Sequence, residues 1–380
     1  MPRLLILHAS VGTGHQRAAE ALAEAFMRKQ DGEVRVADAL DYGSELFRRA
    51  YSRSYIDLSE GSPLLWRLFF ESTDASAPEL IEVTNRLRSL AERLGITRLE
   101  RLVRTSAPEA IICTHFLPVE LLLRLKRHGR LPQPLYCVVT DFFPHAFWVT
   151  PGIDGYFVGS AMTRDMLAAR GVTPSIVRVS GIPIDPAIAD PKELAEMRVQ
   201  HGFPVDGSLV TLFGGGLNVQ RVRSIVEGIL ASDICGTLAV VAGRSETLTN
   251  ALEGLADGSS MRLRVLGFID YVDDLVVASD IVISKAGGLI VSEVLARGTP
   301  MLLIDPIPGQ EEWNADYVVS SGAGVQLRMV ESVPDTVRQL LIHPNRLAAL
   351  RDGAQETGRP RAALDIAEQV LHDLQVGVHG

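Results

Sequence analysis

Two glycines and a histidine near the N-terminus are the first residues with chemical potential. The sequence from Ala9 reads Ala-Ser-Val-Gly-Thr-Gly-His-Gln-Arg, which places glycines at 12 and 14 and a histidine at 15. Glycine lets a backbone turn sharply against a ligand, and a helix behind such a loop favours negative charge at its N-terminus. Imidazole accepts protons near neutral pH, so His15 is a candidate general base for an attacking hydroxyl group.

A second glycine turn follows a predicted strand in the other half of the chain. The run Phe213-Gly-Gly-Gly-Leu-Asn precedes a helical pattern and contains Gly215, Gly216 and Asn218. A three-glycine turn is by itself often only a tight turn. Its repetition of the first loop's pattern makes these three residues candidates for binding a phosphate group.

A third glycine turn gives that interpretation its context. Ser284 ends a predicted strand, and Gly287 and Gly288 come directly before a predicted helix that carries Glu293. The N–H groups and dipole of such a helix can stabilise a departing diphosphate without a metal ion. The carboxylate of Glu293, within two turns of the start, could accept both hydroxyls of a ribose.

A proline-stiffened loop presents further polar side chains. The run Asp305-Pro-Ile-Pro-Gly-Gln-Glu-Glu-Trp-Asn contains Gln310 and Glu311, with Asn314 close behind. Amides and carboxylates suit sugar hydroxyls, and prolines reduce the freedom that a loop loses on binding. We therefore expect Gln310 and Glu311 to contact a sugar.

A dinucleotide-binding fingerprint competes with this interpretation of the first loop. Gly12 and Gly14 match its first two glycines, and Asp38 ends the second predicted strand, where a ribose-binding acid would belong. Arg17 occupies the third glycine position, where we expect a large side chain to obstruct helix-to-strand packing.

The elements that must position these residues alternate between short apolar runs and helical patterns. Such alternation is typical of βαβ units with mostly parallel sheets. The predicted strands are Leu4–His8, Glu33–Ala37, Ala110–Thr114, Leu135–Val139, Gly155–Val158, Ile176–Val179, Leu209–Phe213, Leu238–Ala242, Arg262–Leu266, Ile281–Ser284 and Pro300–Ile304. A helix is predicted from about Arg17 to Met27. The fold class is α/β with two Rossmann-like domains.

Two prolines after Gly181 mark the predicted domain boundary, because proline fixes the backbone and removes a hydrogen-bond donor. We predict one domain over 1–182, a second over 183–360, and a C-terminal helix within 361–380 that packs back on the first. At 380 residues, two domains are the ordinary expectation.

The segment 42–95 contains no convincing strand but is rich in aromatic residues and arginines. Aromatic residues at helical spacing are typical of core-packing helices. The alternative is an amphipathic element on a membrane, with aromatics such as Trp66 at headgroup depth and Arg48, Arg49, Arg53 and Arg67 near anionic lipid.

Composition excludes several classes of protein. The three cysteines lack ligand or disulfide spacing, so we expect a reducing cytoplasm and no metal site. The N-terminal apolar run is too short for a signal peptide, and no run approaches the roughly 20 apolar residues of a membrane span.

The charge is uneven along the chain. Residues 1–182 carry 22 basic and 20 acidic side chains, and residues 183–380 carry 15 basic and 26 acidic ones. This acidic balance argues against nucleic-acid binding.

Taken together, Gly-Thr-Gly-His at 12–15, Ser-Lys-Ala-Gly-Gly at 284–288 with Glu293, and Pro-Gly-Gln-Glu at 308–311 resemble the diacylglycerol glycosyltransferase family. That family includes processive diacylglycerol glucosyltransferases and monogalactosyldiacylglycerol synthases, and is related to the peptidoglycan glucosaminyltransferase. Thr140-Asp141 with His145 and Trp148, and the run Ser180-Gly-Ile-Pro-Ile-Asp, also resemble its pattern. The resemblance extends over most of the chain.

The resemblance implies a GT-B glycosyltransferase with two domains facing across a cleft, a UDP-sugar donor on the second domain and a lipid acceptor, such as diacylglycerol, on the first. It implies inversion to a β-linked product, no permanently bound cofactor, and peripheral attachment to the anionic inner face of a membrane. The implied catalytic residues are His15 and Asp141. The implied donor residues are Gly14, Gly215, Gly216, Asn218, Arg244, Phe268, Ser284, Gly287, Gly288, Glu293, Gln310 and Glu311, and the acceptor or membrane residues are His145, Trp148, Trp66, Arg48 and Arg49.

This sequence departs from the family at Thr13, where Gly or Asn is usual, and at Ala286, where Pro is usual. The segment 42–95 matches only in general character. Four alternatives stay open: a nucleotide-sugar 2-epimerase, a glycosyltransferase with a non-lipid acceptor, an NAD-dependent oxidoreductase, and a non-catalytic sensor of nucleotide sugars.

Overall fold

The computed structural model describes residues 2–29, 32–43, 48, 63–74, 97–255 and 259–377. The chain forms two compact units. The first extends to Ala187 and includes Ile307–Trp313 and the chain from Arg361 onward; the second comprises Ile188–Pro306 and Asn314–Pro360. Most of the predicted insertion at 42–95 lies outside the described residues.

The first unit contains a sheet of six parallel strands in the order β2-β1-β3-β4-β5-β6. The strands are β1 Arg3–His8, β2 Glu33–Asp38, β3 Ala110–Cys113, β4 Leu135–Val138, β5 Gly155–Val158 and β6 Val177–Val179. Because β1, β3 and β4 are neighbours and parallel, the residues that follow them meet at one edge of the sheet.

The helices of this unit are α1 Gly14–Lys29, α2 Pro63–Asp74, α3 over residues 97–106, α4 Phe116–Arg127 and α5 Ala161–Ala169. Of these, α1, α4 and α5 contact strands of the sheet, whereas α2 contacts the 3-10 helix Ala146–Trp148. Strands β1, β3, β4 and β5 are almost wholly buried, as expected of parallel strands covered on both faces. Short 3-10 helices occur at Ala39–Tyr42, Ala146–Trp148 and Pro174–Ile176.

The second unit repeats the architecture with six parallel strands in the order β12-β11-β10-β7-β8-β9. These strands are β7 Ser208–Phe213, β8 Gly236–Val241, β9 Met261–Leu266, β10 Ile281–Ser284, β11 Met301–Ile304 and β12 Gly324–Leu327. The helices are α6 Leu194–Gln200, α7 Val219–Leu230, α8 Glu246–Leu252, α9 Val272–Ala278, α10 Gly288–Ala296, α11 Gln310–Ser320, α12 Val333–Ile342 and α13 Pro344–Thr357. Further 3-10 helices are Pro186–Ala189 and Val330–Ser332.

The last helix, α14 (Ala362–Gly377), belongs to the first unit and packs against α1. Its buried face includes Ile366, Ala367 and Val370. The Asp373 carboxylate accepts hydrogen bonds from Arg178 Nη1 at 2.7 Å and from the Tyr136 hydroxyl at 3.0 Å. The predicted packing of a C-terminal helix on the first domain thus has its counterpart in these contacts.

The eleven predicted strands all occur, with ends within two residues of those expected. Two details differ. Strand β12 was not predicted, and α1 begins at Gly14, three residues before Arg17. The expected obstruction by Arg17 is wrong, because its side chain is exposed while Ala18 and Ala19 are buried. Hence Arg17 is no argument against a dinucleotide site.

None of the helices within the described ranges is long and apolar enough to cross a membrane.

Candidate functional site

The glycine loop after β1 brings His15 to the carboxyl edge of the first sheet. Gly12 has a φ of +87°, a conformation that other residues rarely adopt. Among the described residues no atom lies within 4 Å of a Cβ atom built on Gly12 or Gly14, so no described side chain covers these two backbones. Since α1 starts at Gly14, the His15 ring projects from the first turn of the helix.

Two threonines fix the orientation of the His15 ring. Its Nδ1 lies 2.9 Å from the Thr114 carbonyl oxygen and 2.9 Å from the Thr140 hydroxyl. The Thr114 hydroxyl in turn donates to the His15 carbonyl at 2.8 Å. A carbonyl oxygen only accepts, so Nδ1 carries the proton and Nε2 keeps its lone pair.

Burial sets the charge of this imidazole. It lowers the pKa of His15 to about 4, with a further lowering from nearby His8, while the hydrogen bond to the Thr114 carbonyl acts in the opposite direction. Our expectation that His15 titrates near the operating pH is therefore wrong. The ring is neutral at pH 7, and it can accept a proton without first losing one.

His115 packs edge-on against His15, with ring centroids 4.5 Å apart. Its Nδ1 accepts a hydrogen bond from the N–H of Leu117 at 3.0 Å and so caps the start of α4. Burial also holds the pKa of His115 well below its usual value. A second neutral ring thus packs beside the base without adding positive charge.

Thr114, His115 and Thr140 were not among the predicted site residues. A signal for them exists in the sequence, because each comes directly after, or within two residues of, the end of β3 or β4. These strands follow β1 in the sheet order, and the ends of neighbouring parallel strands share one edge. Asp141, the other predicted catalytic residue, is half-buried beside Thr140, and its role stays a prediction.

His145 and Trp148, predicted to contact acceptor or membrane, are 3% and 2% exposed. The Nδ1 of His145 accepts from the N–H of Phe147, and its Nε2 lies 3.0 Å from the Phe70 carbonyl oxygen. Burial lowers the pKa of His145. These positions rule out direct membrane contact in this structure, because the side chains are enclosed by protein.

The remaining predicted membrane residues are only partly described. Arg48 is exposed, and its Nη1 lies 3.2 Å from Asp41 Oδ1. Trp66 belongs to α2, and its side chain lies outside the described residues, as does Arg49. Their contact with lipid stays a prediction.

In the second unit, the loop after β7 is shaped by its glycines. A Cβ on Gly214 would approach Leu248 to 2.7 Å, whereas one on Gly215 would meet nothing. Gly216 has a φ of +73°. The side-chain oxygen of Asn218 accepts from the N–H groups of Gln220 and Arg221 and so caps α7. The contact of Asn218 with a donor stays a prediction.

The loop after β10 has the geometry expected of a diphosphate site. Ser284 ends the strand, Gly287 is the N-cap residue of α10, and Gly288 is its first residue. Glycine offers no side chain to cap the first N–H groups, which stay available to an anion. Glu293 is 4% exposed, so it does not lie on a solvated helix face.

Two predicted donor residues contact each other at the ends of β8 and β9. The guanidinium of Arg244 lies 4.8 Å from the ring centre of Phe268. Phe268 is 67% exposed, and a large exposed aromatic ring offers a surface on which a planar group can stack. The stacked pair is suited to a nucleobase.

The predicted sugar-binding loop belongs partly to the first unit, which contains Ile307–Trp313. The Glu311 carboxylate accepts from the N–H of Ile307 at 2.7 Å, and that of Glu312 accepts from the N–H of Gly309 at 3.0 Å. One oxygen of Glu311 therefore stabilises its own loop, and the contact of Glu311 with a sugar stays a prediction. Gln310 is the half-buried first residue of α11.

Asp38, which the dinucleotide interpretation assigned to a ribose, is also engaged by backbone. Its Oδ1 lies 2.9 Å from the N–H of Leu40 and 3.3 Å from that of Ser10. Among the described residues no group of three or more His, Cys, Asp or Glu side chains could hold a metal ion. Metal-independent chemistry stays a prediction.

Comparison with known proteins extends the resemblance over nearly the whole chain. Residues 15–184 match the family model of monogalactosyldiacylglycerol (MGDG) synthase, and residues 210–366 match the C-terminal domain of glycosyltransferase family 28. A processive diacylglycerol beta-glucosyltransferase of Bacillus subtilis (strain 168) is 26% identical, with 98% of this chain and 96% of that protein covered. The processive diacylglycerol beta-glucosyltransferase of Bacillus mycoides (strain KBAB4) is 28% identical, with 97% of this chain and 93% of that protein covered.

Solved structures share the fold. MurG of Acinetobacter baumannii superimposes with a TM-score of 0.64 at 14% identity, covering 98% of this chain and all of that one. The UDP complex of S. aureus MnaA gives a TM-score of 0.62 at 13% identity, and the match covers 99% of this chain and 97% of that one. At such identity the likeness establishes the fold, two α/β units of the GT-B type.

Proposed function

We propose that this chain, which belongs to the diacylglycerol glycosyltransferase family, transfers a hexose from a UDP-sugar to diacylglycerol with inversion at the anomeric carbon. The single observation that carries the proposal is the His15 imidazole, which is neutral and keeps its proton on Nδ1. An attacking hydroxyl must lose its proton, and Nε2 of His15, which has no hydrogen-bond partner among the described residues, would accept it.

Two bonds break in the reaction, the O–H bond of the acceptor and the bond from the anomeric carbon to the diphosphate, and two form, a new C–O bond and the N–H bond at Nε2. The acceptor oxygen attacks the anomeric carbon from the face opposite the leaving UDP, while its proton passes to Nε2 of His15. The bond between that carbon and the diphosphate oxygen breaks, and its electron pair leaves with UDP. Attack from the opposite face inverts the configuration, so an α-linked donor gives a β-linked glycolipid.

The second unit is proposed to bind the donor. The N–H groups at the start of α10 would stabilise the charge that develops on the diphosphate. Glu293 would accept the ribose hydroxyls, and the pair of Arg244 and Phe268 would lie against the uracil. Two solved structures that share this fold, of S. aureus MnaA and of Anabaena Alr3699/HepE, are complexes with UDP.

The first unit is proposed to bind the lipid. The processive diacylglycerol beta-glucosyltransferases to which the chain is related act, by their names, on diacylglycerol. Residues 1–182 are near charge balance, unlike the acidic remainder, which suits an approach to an anionic membrane. We propose peripheral attachment to the inner face of the membrane through the segment 42–95, with 183–360 as the donor domain.

A transfer assay tests the proposal. Purified protein is incubated with radiolabelled UDP-glucose, UDP-galactose or UDP-N-acetylglucosamine and vesicles containing diacylglycerol, with and without EDTA. We expect label from one UDP-sugar in the lipid fraction, insensitive to EDTA, and a β-linkage by NMR. Label that stays on the nucleotide as a 2-epimer, without any need for an acceptor, would replace the proposal by an epimerase.

A further inference from the structure

Lysine is rare in this chain, and three of its four lysines form ion pairs. Of the 37 basic residues only Lys29, Lys126, Lys192 and Lys285 are lysines. Lys29 pairs with Glu368, Lys126 lies 2.6 Å from Asp154, and Lys192 lies 2.6 Å from Asp273 and 2.5 Å from Asp274.

Lys285 is the exception. It is half-buried, yet no carboxylate among the described residues lies within ion-pair distance of it. An ammonium group that is partly removed from water without a counter-ion is electrostatically unfavourable. The position therefore suits an anion that comes from outside the protein.

The surroundings of Lys285 indicate which anion. Lys285 directly follows β10 and precedes the N-cap Gly287 by two residues, so its backbone leads into the start of α10. A Cβ on Gly216 would lie 4.0 Å from Lys285 Nζ. Since β7 and β10 are hydrogen-bonded neighbours, the ammonium lies where the two glycine loops of this unit converge.

The neighbouring charges leave this position positive. Asp305, at the end of the adjacent strand β11, forms an ion pair with Arg221. The side-chain oxygen of Asn218 is engaged in capping α7. The dipole of α10 adds positive potential at its N-terminus. A half-buried ammonium, open glycine backbone and a helix N-terminus together match a phosphate group.

We propose that Lys285 is a further catalytic residue, which binds the diphosphate of the donor and neutralises the charge that develops on the leaving UDP. This inference rests on the proposed function and adds a residue to its donor site. Lys285 forms no covalent bond. Its ammonium donates hydrogen bonds to phosphate oxygens, which gain negative charge as the bond to the anomeric carbon breaks.

Calorimetric titration of Lys285→Met with UDP and uridine tests the inference. Methionine keeps the length of the side chain and removes the charge. We expect UDP affinity to fall about 10- to 100-fold, the scale of a charged hydrogen bond, while uridine affinity is unchanged. Lys285→Arg should retain most of the UDP affinity. Lys126→Met, which removes a paired lysine of the other unit, serves as the matched control and should leave it unchanged.

The outcomes separate this inference from the function on which it rests. If the unaltered protein does not bind UDP, the proposed function fails. If it binds UDP and Lys285→Met binds UDP equally well, Lys285 has no such role. Equal loss of uridine and UDP affinity in Lys285→Met would likewise overturn it, because a phosphate contact affects only UDP.

Amine labelling of the unaltered protein gives a test that does not depend on a variant folding. The protein is treated with a small amine-reactive reagent, and Lys285 modification is measured by mass spectrometry with and without ligand. We expect UDP to protect Lys285 and uridine to give little protection. The same extent of Lys285 labelling with and without UDP would contradict the inference.

Discussion

The Nδ1–H group of His15 donates a hydrogen bond to the Thr114 carbonyl oxygen, so a hydroxyl that approaches Nε2 meets a lone pair. Two threonines from the ends of neighbouring strands hold this tautomer. Orientation by a hydrogen bond to the second nitrogen is the usual way in which proteins prepare a histidine base. The low pKa of His15 keeps the ring unprotonated at neutral pH and also makes it a weaker base.

The pH dependence of transfer follows from this environment. The reaction needs neutral His15, and burial lowers its pKa to about 4, so protonation removes the base only as the pH falls through about 4. We expect kcat/KM to stay level on its acid side down to about pH 5, without a limb near the ordinary histidine pKa of about 6.5. Brief assays across this range, with activity re-measured after return to neutral pH, check it. An acid limb centred near 6.5 would contradict the buried ring.

Glu293 carries a prediction of its own. Replacing Glu293 by Ala should weaken UDP binding by about 1–3 kcal/mol, because ribose hydroxyls would lose their hydrogen-bond acceptor. Titration with UDP measures the loss, and Glu293→Gln, which keeps an acceptor oxygen, should lose less. If the affinity of the alanine variant equals that of the unaltered chain, the ribose role is wrong.

The other eleven strands could be predicted because buried parallel strands are short, apolar and bounded by turn residues. Strand β12 (Gly324–Leu327) instead alternates Val325 and Leu327 with glycine or polar positions, and only Gly324 is fully buried. The start of α1 was placed late because Gly14 disfavours helix interiors, yet a first turn tolerates glycine. Glycine turns thus predicted the positions of the loops, but not which side chains form hydrogen bonds within their own loops, as those of Asn218 and Glu311 do.

Helix α14 contacts the first sheet through the Asp373 carboxylate. Asp373 accepts hydrogen bonds from Arg178 and Tyr136, which lie on the strands β6 and β4. Asp373→Asn should lower the free energy of unfolding of the first unit by about 1–2 kcal/mol, since a part-buried charged hydrogen bond is lost.

Hydrogen exchange of the α14 amides measures this effect. Asp365→Asn is the control on the same helix, because the Arg361–Asp365 pair is exposed and such pairs contribute little. Equal protection of α14 in both variants would show that the Asp373 contacts do not hold the helix.

The whole molecule contains two α/β units of the same design. Each unit has a glycine loop after an interior strand, β1 in the first sheet and β7 and β10 in the second. Ligands of open α/β sheets bind beyond the carboxyl ends of such strands. The positions of His15 and of the loop at 284–288 are compatible with the proposal that the first unit binds the acceptor and the second the donor.

The sequence indicated the three glycine loops, because a glycine turn between strand and helix is a local pattern, whereas the assignment of acceptor and donor to the two units is implied by the family resemblance. Sequence reasoning did not find Thr114, Thr140 or His115, since their role depends on which strands are neighbours. Nor did it anticipate the low pKa of His15, because burial is a property of the packed unit.

The most direct test is the rate at which His15→Ala transfers radiolabelled hexose to diacylglycerol at saturating UDP-sugar. We expect a rate about 10²- to 10⁴-fold below that of the unaltered protein, the range for loss of a general base, with UDP affinity preserved. A transfer rate within about threefold of the unaltered protein would contradict the assignment of His15 as the base.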